Sequence, residues 1–278
     1  MEYKRRRLIR QGVFTLLLAL LTVLFALPLY WLTASSFMSS AEITGINRPL
    51  FPRSFKLDNY SYVFVFLKFQ RTFFNSVFTS ALTTVMILVT SSMAGYAFAK
   101  KRFPFSKILL GLLVGTMAIP PTVLLLPLFF VINRIGFYDN LWGLVFPFGV
   151  TVFGIYFMRQ YISDIPDALL ESARIDGAGE AGVFIKIALP LLSPAFVSLA
   201  IIEFVNNWNS FTMPLVLLKT PEKYTLPLML GFLSQKSTEI DWGHVMAANV
   251  LTILPVFAVY VILQKYLVKG IMQGAVKG

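Results

Sequence analysis

The sequence predicts an all-α, polytopic membrane protein with six transmembrane helices and one structured polar loop, and three observations predict it. Hydrophobic residues make up 57% of the 278 and charged residues only 13%, a balance that a water-soluble domain does not need. The apolar residues are gathered into six runs of about 20, the length at which a helix spans the hydrocarbon core while satisfying its own backbone. Basic residues cluster at alternate ends of those runs, as membrane topology demands.

The runs extend over residues 12–33, 73–99, 108–132, 141–158, 191–217 and 245–263, and only Glu203 places an acid or base inside any of them. An even number of spans leaves both termini on one side. Lys4, Arg5, Arg6, Arg7 and Arg10 precede the first span, Lys100, Lys101, Arg102 and Lys107 join the second to the third, and Lys265, Lys269 and Lys277 follow the last. With Arg159, Arg174 and Lys186 this places fifteen of the 24 basic residues on the side of the termini. That side, with the loop 159–190, is expected to be cytoplasmic. The net charge of +11 is read as topology and contact with lipid head groups. Basic residues that flank spans form no aromatic-interleaved stripe, so nucleic acid is not an expected partner.

The first run has a basic start and small residues at Ala34, Ser35 and Ser36. It is longer than the roughly 7–15 residues of a signal core and is expected to remain as a first helix. The segment 35–72 carries turn formers at Pro49, Pro52, Asp58 and Asn59, and Asn59-Tyr60-Ser61 is a glycosylation triplet of the kind common by chance. A short connection near 133–140 makes spans three and four an antiparallel pair. The longer one, 218–244, can fold over the outer mouth of a pathway. Pro28, Pro120, Pro121, Pro127, Pro147, Pro214 and Pro255 fall inside runs, where they release carbonyls that neighbours must satisfy.

The absence of cysteine removes disulfides, thiol nucleophiles and thiolate metal sites. No metal site and no nucleophile–base arrangement is apparent, so a catalytic role has no residues to carry it. His244 is expected to be an interfacial polar group, and Gly111 with Gly115 a site of close helix packing.

Within the polar loop, Asp164 is expected to cap a short helix with Pro166 in or near its first turn. That helix runs to about Ile175, Gly177 turns the chain, and 180–187 forms a second helical segment leading through Leu189-Pro190 into span five. Glu171 and Arg174 are spaced to pair, while Asp167 and Glu171 share a face and repel. Gly177, Gly179 and Gly182 satisfy G-x-G-x-x-G, but a helix precedes them where a dinucleotide site needs a strand.

Glu203, Asn206, Asn207 and Ser210 follow the i, i+3, i+4, i+7 spacing and should share one face of span five, turned to the bundle or a wet cavity. Their donors and acceptors suit sugar hydroxyls, and bonds to neighbouring helices suit them equally. Trp208 joins them only if the helix is kinked or rotated. Glu203 is also the one residue on which an ion-coupled secondary transporter could rest.

The loop resembles the EAA loop of bacterial ABC importer permeases, with Glu171, Ala173, Gly177, Ile187, Leu189 and Pro190 at the family spacings and Ser172 in place of the usual first alanine. Asp176, Ala178, Phe184, Leu191 and Pro194 extend the match to the form seen in carbohydrate importers, as do Asn75-Ser76, Ala94-Gly95-Tyr96-Ala97-Phe98, Phe103-Pro104 and the tail 274–278. The chain is most similar to the MalG-type carbohydrate importer permeases.

The resemblance implies a single permease domain over 1–278, with a first span at 12–33, a core at 72–264, a coupling loop at 159–190 and a cytoplasmic tail at 265–278. It implies docking of an ATPase on Glu171, Ser172, Ala173, Asp176, Gly177, Ile187, Leu189 and Pro190, and a weaker contact from the tail beyond Gly270. The implied partners are a second permease subunit, two cytoplasmic ATPase subunits holding ATP and Mg, and an extracytoplasmic solute-binding protein. No cofactor is expected on this chain, which lacks G-x-x-x-x-G-K-[ST]. The implied cargo is a sugar or oligosaccharide, with glycerol phosphodiesters as the alternative, and the implied location is a bacterial or archaeal cytoplasmic membrane.

Overall fold

The computed structural model of the chain describes residues 2–235 and 240–275, and every regular element among them is helical. In a bilayer, only helices and closed barrels satisfy all backbone groups internally, and this chain uses the first solution. Three helices are long and apolar enough to cross alone. The number reaches six if each of three bent helix pairs is one span. The lone helices are α1 (Glu2–Ser35), α4 (Phe69–Lys100) and α14, which runs from Trp242 to Ala275.

The described residues form two compact units, Met1–Phe69 with Leu230–Ile253 and Gln70–Met229 with Leu254–Gly278. In the first, α1 runs unbroken to Ser35, ending among the small residues Ala34, Ser35 and Ser36. Ser35 and Ser36 are fully buried, and the Ser36 hydroxyl lies 2.7 Å from that of Tyr60. Two short helices follow, α2 (Ser40–Thr44) and α3 (Asp58–Val65). Ser39 and Glu42 form a reciprocal capping box at the start of α2, satisfying two amides that a helix start leaves open.

Asn59 is buried, and its Nδ2 donates to the Ser36 and Met38 carbonyls at 2.9 Å each. The glycosylation triplet is thus spent on packing. Gly243 lies against this asparagine, where a Cβ would come within 2.7 Å of Nδ2. His244 stacks on Tyr62 with ring centroids 3.9 Å apart and has Asp241 3.8 Å from Nδ1.

The second unit contains α5 (Ser106–Thr116) and α6 (Leu125–Arg134), then α7 (Val152–Ser163) and α8 (Asp167–Ile175). After α9 (Glu180–Gly182), a π-helical stretch over Val183–Ala188 and α10 (Leu189–Leu191), the chain enters α11 (Ser193–Trp208). It closes with α12 (Thr212–Leu217), the first half of α13 (Leu226–Leu233) and the remainder of α14.

Three expected spans are not straight. The third bends by 93° at Pro120-Pro121, because proline lacks the amide a helix needs and excludes the helical conformation from the residue before it. The fourth bends by 42° between Phe148 and Val152, and the fifth by 76° at Leu192, one residue after α10. Span five also ends nine residues earlier than hydropathy suggests, with α12 beginning afresh at Thr212. The G-x-x-x-G at Gly111 and Gly115 does not mark close packing within the chain, since nothing lies within 4 Å of a Cβ built at either position.

A core cluster holds the base of this unit together. Met158 and Ile162 from α7, Leu170 from α8, and Val183, Ala188, Ala195 and Leu199 along the path into α11 are all at most 1% exposed. Burying a leucine side chain stabilises by roughly 1.5–3 kcal/mol, so α8 is fastened through Leu170 instead of lying loose at a membrane surface. Gly95 makes the cluster possible by letting α4 approach α7. A Cβ there would stand 2.9 Å from the Arg159 amide nitrogen.

Candidate functional site

Two features of the second unit bring functional side chains together, a polar cavity and a charged loop. The cavity has a volume of about 180 Å³ and is walled by Glu203, Asn206, Asn207 and Ser210. Thr79 and Thr83 from α4, Thr151 before α7, and Thr225 complete its polar lining. Helical spacing accounts for Glu203, Asn206 and Asn207. Ser210 arrives differently, because α11 ends at Trp208 and a turn closed by the Ser210 amide on the Asn207 carbonyl, at 3.2 Å, carries it in.

Glu203 is 4% exposed, and its Oε1 accepts from the Thr151 hydroxyl at 3.1 Å. That hydroxyl also accepts from the Gly154 amide at 3.0 Å, capping α7. One threonine therefore fixes both a helix start and the orientation of the buried carboxyl. Asn207 turns its Nδ2 back to the Glu203 carbonyl, 2.8 Å away, leaving its side-chain oxygen for other donors. Trp208 does not line the cavity. It is 1% exposed and packs against Phe204 and Phe73, since the helix is neither kinked nor rotated at that point.

The segment from 217 to 226 borders the cavity through Thr225 and is held from two directions. Asn75 Nδ2 donates to the Glu222 and Tyr224 carbonyls at 3.0 Å each, and the Ser76 hydroxyl accepts from the Leu226 amide at 2.7 Å. Asp139, with φ at 52°, accepts from the Lys219 and Thr220 amides at 2.9 Å, from the Thr220 hydroxyl and from Lys223 Nζ. Partial burial alone would raise this carboxyl, but the bonds from Thr220, Lys219 and Lys223 outweigh it and hold the group well below the usual carboxylate range. Sequence reasoning missed this hub. An aspartate three residues after a glycine turn at Gly136 is the only local signal, and its partners lie some 80 residues away.

In the loop, α8 starts at Pro166 without a side-chain cap, while Asp164 instead closes α7. Pro166 itself occupies the cap position, one residue ahead of Asp167, the first helical residue. Gly177 has φ at 85°, a left-handed turn that favours glycine, and the Gly177 and Ala178 amides return to Arg174 and Ala173 at 3.0 Å.

Glu171, Ser172 and Asp176 are exposed, Ala173 and Ile187 pack partly on the core cluster, Leu189 is half-buried, and Pro190 is exposed. The expected pairing of Glu171 with Arg174 does not form. Arg174 Nε turns to Glu180 at 3.1 Å, and Lys101 Nζ meets the same carboxylate at 2.5 Å. Asp167 is taken by Lys100 at 2.7 Å, which removes the expected repulsion with Glu171. Glu171 makes no ion pair among the described residues. The tail residues 276–278 lie outside the described residues.

The family description "binding-protein-dependent transport system inner membrane component" matches residues 91–273, which include the loop and the cavity residues Glu203, Asn206, Asn207 and Ser210. The chain belongs to this permease family. Among its relatives, the arabinooligosaccharides transport system permease protein AraQ of Bacillus subtilis is 35% identical over 95% of each chain. The diacetylchitobiose uptake system permease protein NgcG of Streptomyces coelicolor is 28% identical over 93% of this chain and 86% of its own. A solved chain from a bacterial ABC transporter that imports the acidic polysaccharide alginate superposes with a TM-score of 0.81 at 25% identity, covering 93% of this chain and 96% of that one. As a member of this family the protein is a multi-pass membrane subunit.

Proposed function

We propose that this permease is one half of the membrane channel of an ATP-driven, binding-protein-dependent importer of a sugar or oligosaccharide. The observation that carries the reading is the joining, in one compact unit, of a cavity lined by hydroxyl, amide and carboxyl groups to an exposed loop bearing Glu171. Such a lining offers donors and acceptors to a hydroxylated cargo. The relatives named for arabinooligosaccharide and diacetylchitobiose transport support the same class of cargo.

In this reading both termini and the loop 159–190 face the cytoplasm, following the bias of Lys and Arg. A second permease completes the path, a solute-binding protein delivers cargo from outside, and two ATPase subunits hold ATP and Mg. Glu171, Ser172, Ala173 and Asp176 meet the ATPase, Gly177 sets the turn, and Ile187, Leu189 and Pro190 join the loop to span five. Glu203, Asn206, Asn207 and Ser210 line the route. Closure of the ATPase pair moves α8 and shifts the bundle between outward and inward access.

The test is uptake of labelled arabinooligosaccharide by vesicles carrying the complete complex and its binding protein. Uptake that requires ATP and persists when ion gradients are dissipated is expected. Uptake that survives ATP depletion and collapses with the gradient would instead select an ion-coupled transporter working through the buried Glu203.

A further inference from the structure

The loop is not attached to the second unit by apolar packing alone. Lys100 and Lys101, the last residue of α4 and the one after it, grip it on either side of Glu171, at the start of α8 and at the start of α9. Lys100 Nζ lies 2.7 Å from Asp167 Oδ1 at the helix start and donates to the Ile165 carbonyl at 2.6 Å, with its side chain only 7% exposed. Lys101 Nζ lies 2.5 Å from Glu180 Oε2 beyond the Gly177 turn, and Arg174 from α8 itself completes that side at 3.1 Å. Lys100 holds the Asp167 carboxyl, and Lys101 the Glu180 carboxyl, below the usual carboxylate range. Glu171 sits between the two attachments.

Isolated surface ion pairs are worth little, and the exposed halves of these pairs do not argue for stability. Their arrangement matters for another reason. α4 is a single helix of 32 residues, and the same helix supplies Thr79 and Thr83 to the cavity wall. At 1.5 Å per residue, Thr83 and Lys100 stand roughly 25 Å apart on one rigid rod. A push on α8 at Glu171 is thereby delivered, through Asp167 at its start and through the Arg174–Glu180 pair beyond it, to the foot of a helix whose upper turns wall the cavity.

We infer that Lys100 and Lys101 are positioning residues for energy coupling, forming a two-point ionic clasp that transmits motion of the α8 loop along α4 to the cavity. The inference rests on the reading of α8 as the ATPase docking element. Without the clasp, α8 remains in place through Leu170, yet its displacement is absorbed at Gly177 and in the π-helical stretch instead of reaching Thr79 and Thr83.

The chain contains no cysteine, so Asn207→Cys creates a unique reporter in the cavity wall. The experiment uses the complete importer in vesicles and reads, by mass of this chain, the rate at which a small neutral thiol reagent modifies position 207 with and without ATP and vanadate. With the clasp intact, the nucleotide is expected to change that rate at least fivefold. Lys101→Glu or Glu180→Lys alone should abolish the change while the ATPase still copurifies. Lys101→Glu and Arg174→Glu combined with Glu180→Lys, which reverses every charge of that attachment, should restore it to within twofold, which general damage to the fold would not allow.

Lys100→Met with Asp167→Asn provides a second, charge-free break at the other attachment, and a reduced response is expected there. A full nucleotide response in the single charge reversals, or a complete reversal as unresponsive as the singles, overturns the clasp. Glu171→Lys separates the two layers. If it leaves the response intact, the docking reading falls and the clasp with it. If it abolishes the response while the Lys101 and Glu180 reversals do not, the clasp alone falls.

Discussion

Single side chains set the chemistry of this permease, and their partners explain why several of them are where they are. Glu171 is exposed and without an ion pair among the described residues, whereas its neighbours Asp167, Arg174 and Glu180 are all engaged within the chain. Glu171→Lys is therefore expected to leave the membrane fold intact and to lower uptake per ATP roughly tenfold, since it reverses the charge offered to the ATPase in the proposed docking. Comparison of ATP hydrolysis with uptake in vesicles checks it. Asn207→Leu removes a cavity donor and acceptor without touching the loop, so uptake should fall by about tenfold while hydrolysis stimulated by the binding protein persists. Unchanged uptake at normal expression would remove Asn207 from the route.

Asp139 makes a further expectation at this scale. Its carboxyl is lowered from the ordinary 3.8, so its contribution is complete above that value and is lost as pH falls through the lowered one. Hydrogen exchange at the Thr220 amide should stay slow from pH 7 down to about pH 4 and quicken only in stronger acid. Asp139→Asn should quicken it at every pH.

Among the elements, the informative comparison is between those whose patterns are local and those whose shape depends on neighbours. α8 was readable because good helix formers, a proline start and a glycine stop lie within a dozen residues. Three members of the cavity stripe were readable because a 3.6-residue period places them on one face. The 93° bend at Pro120-Pro121 was signalled by the prolines but its size was not, since hydropathy records composition and not direction. The π-helical stretch over Val183–Ala188 had no signal at all. Gly95 belongs to this scale too. It sits where α4 meets α7 at backbone distance, and Gly95→Val is expected to cost about 1–3 kcal/mol by overpacking, seen as a lower unfolding midpoint of the purified complex. A midpoint equal to that of the wild type would show that the helices separate freely there.

For the whole molecule, membrane insertion and helical class follow from the amounts and positions of apolar residues, and these are properties of the chain read in one dimension. The same holds for the family, because the loop spacing from Glu171 to Pro190 is itself a linear pattern. At this scale the expectation is that transport by the assembled complex follows ATP and not an ion gradient, as the vesicle assay tests.

What the chain could not express in one dimension is which distant groups meet. Thr151 reaches Glu203 across 52 residues, Asn75 reaches Tyr224 across 149, and Lys100 reaches Asp167 across 67. Sequence alone determined that a polar stripe exists and that the loop carries the family spacing. Only the tertiary structure decided that Thr151 orients the stripe's carboxyl, that Trp208 stands outside it, and that Arg174 turns from Glu171 to Glu180. The physical reason is that hydrogen bonds and ion pairs depend on separations of about 3 Å in space, which packing of the helices creates and linear spacing does not record.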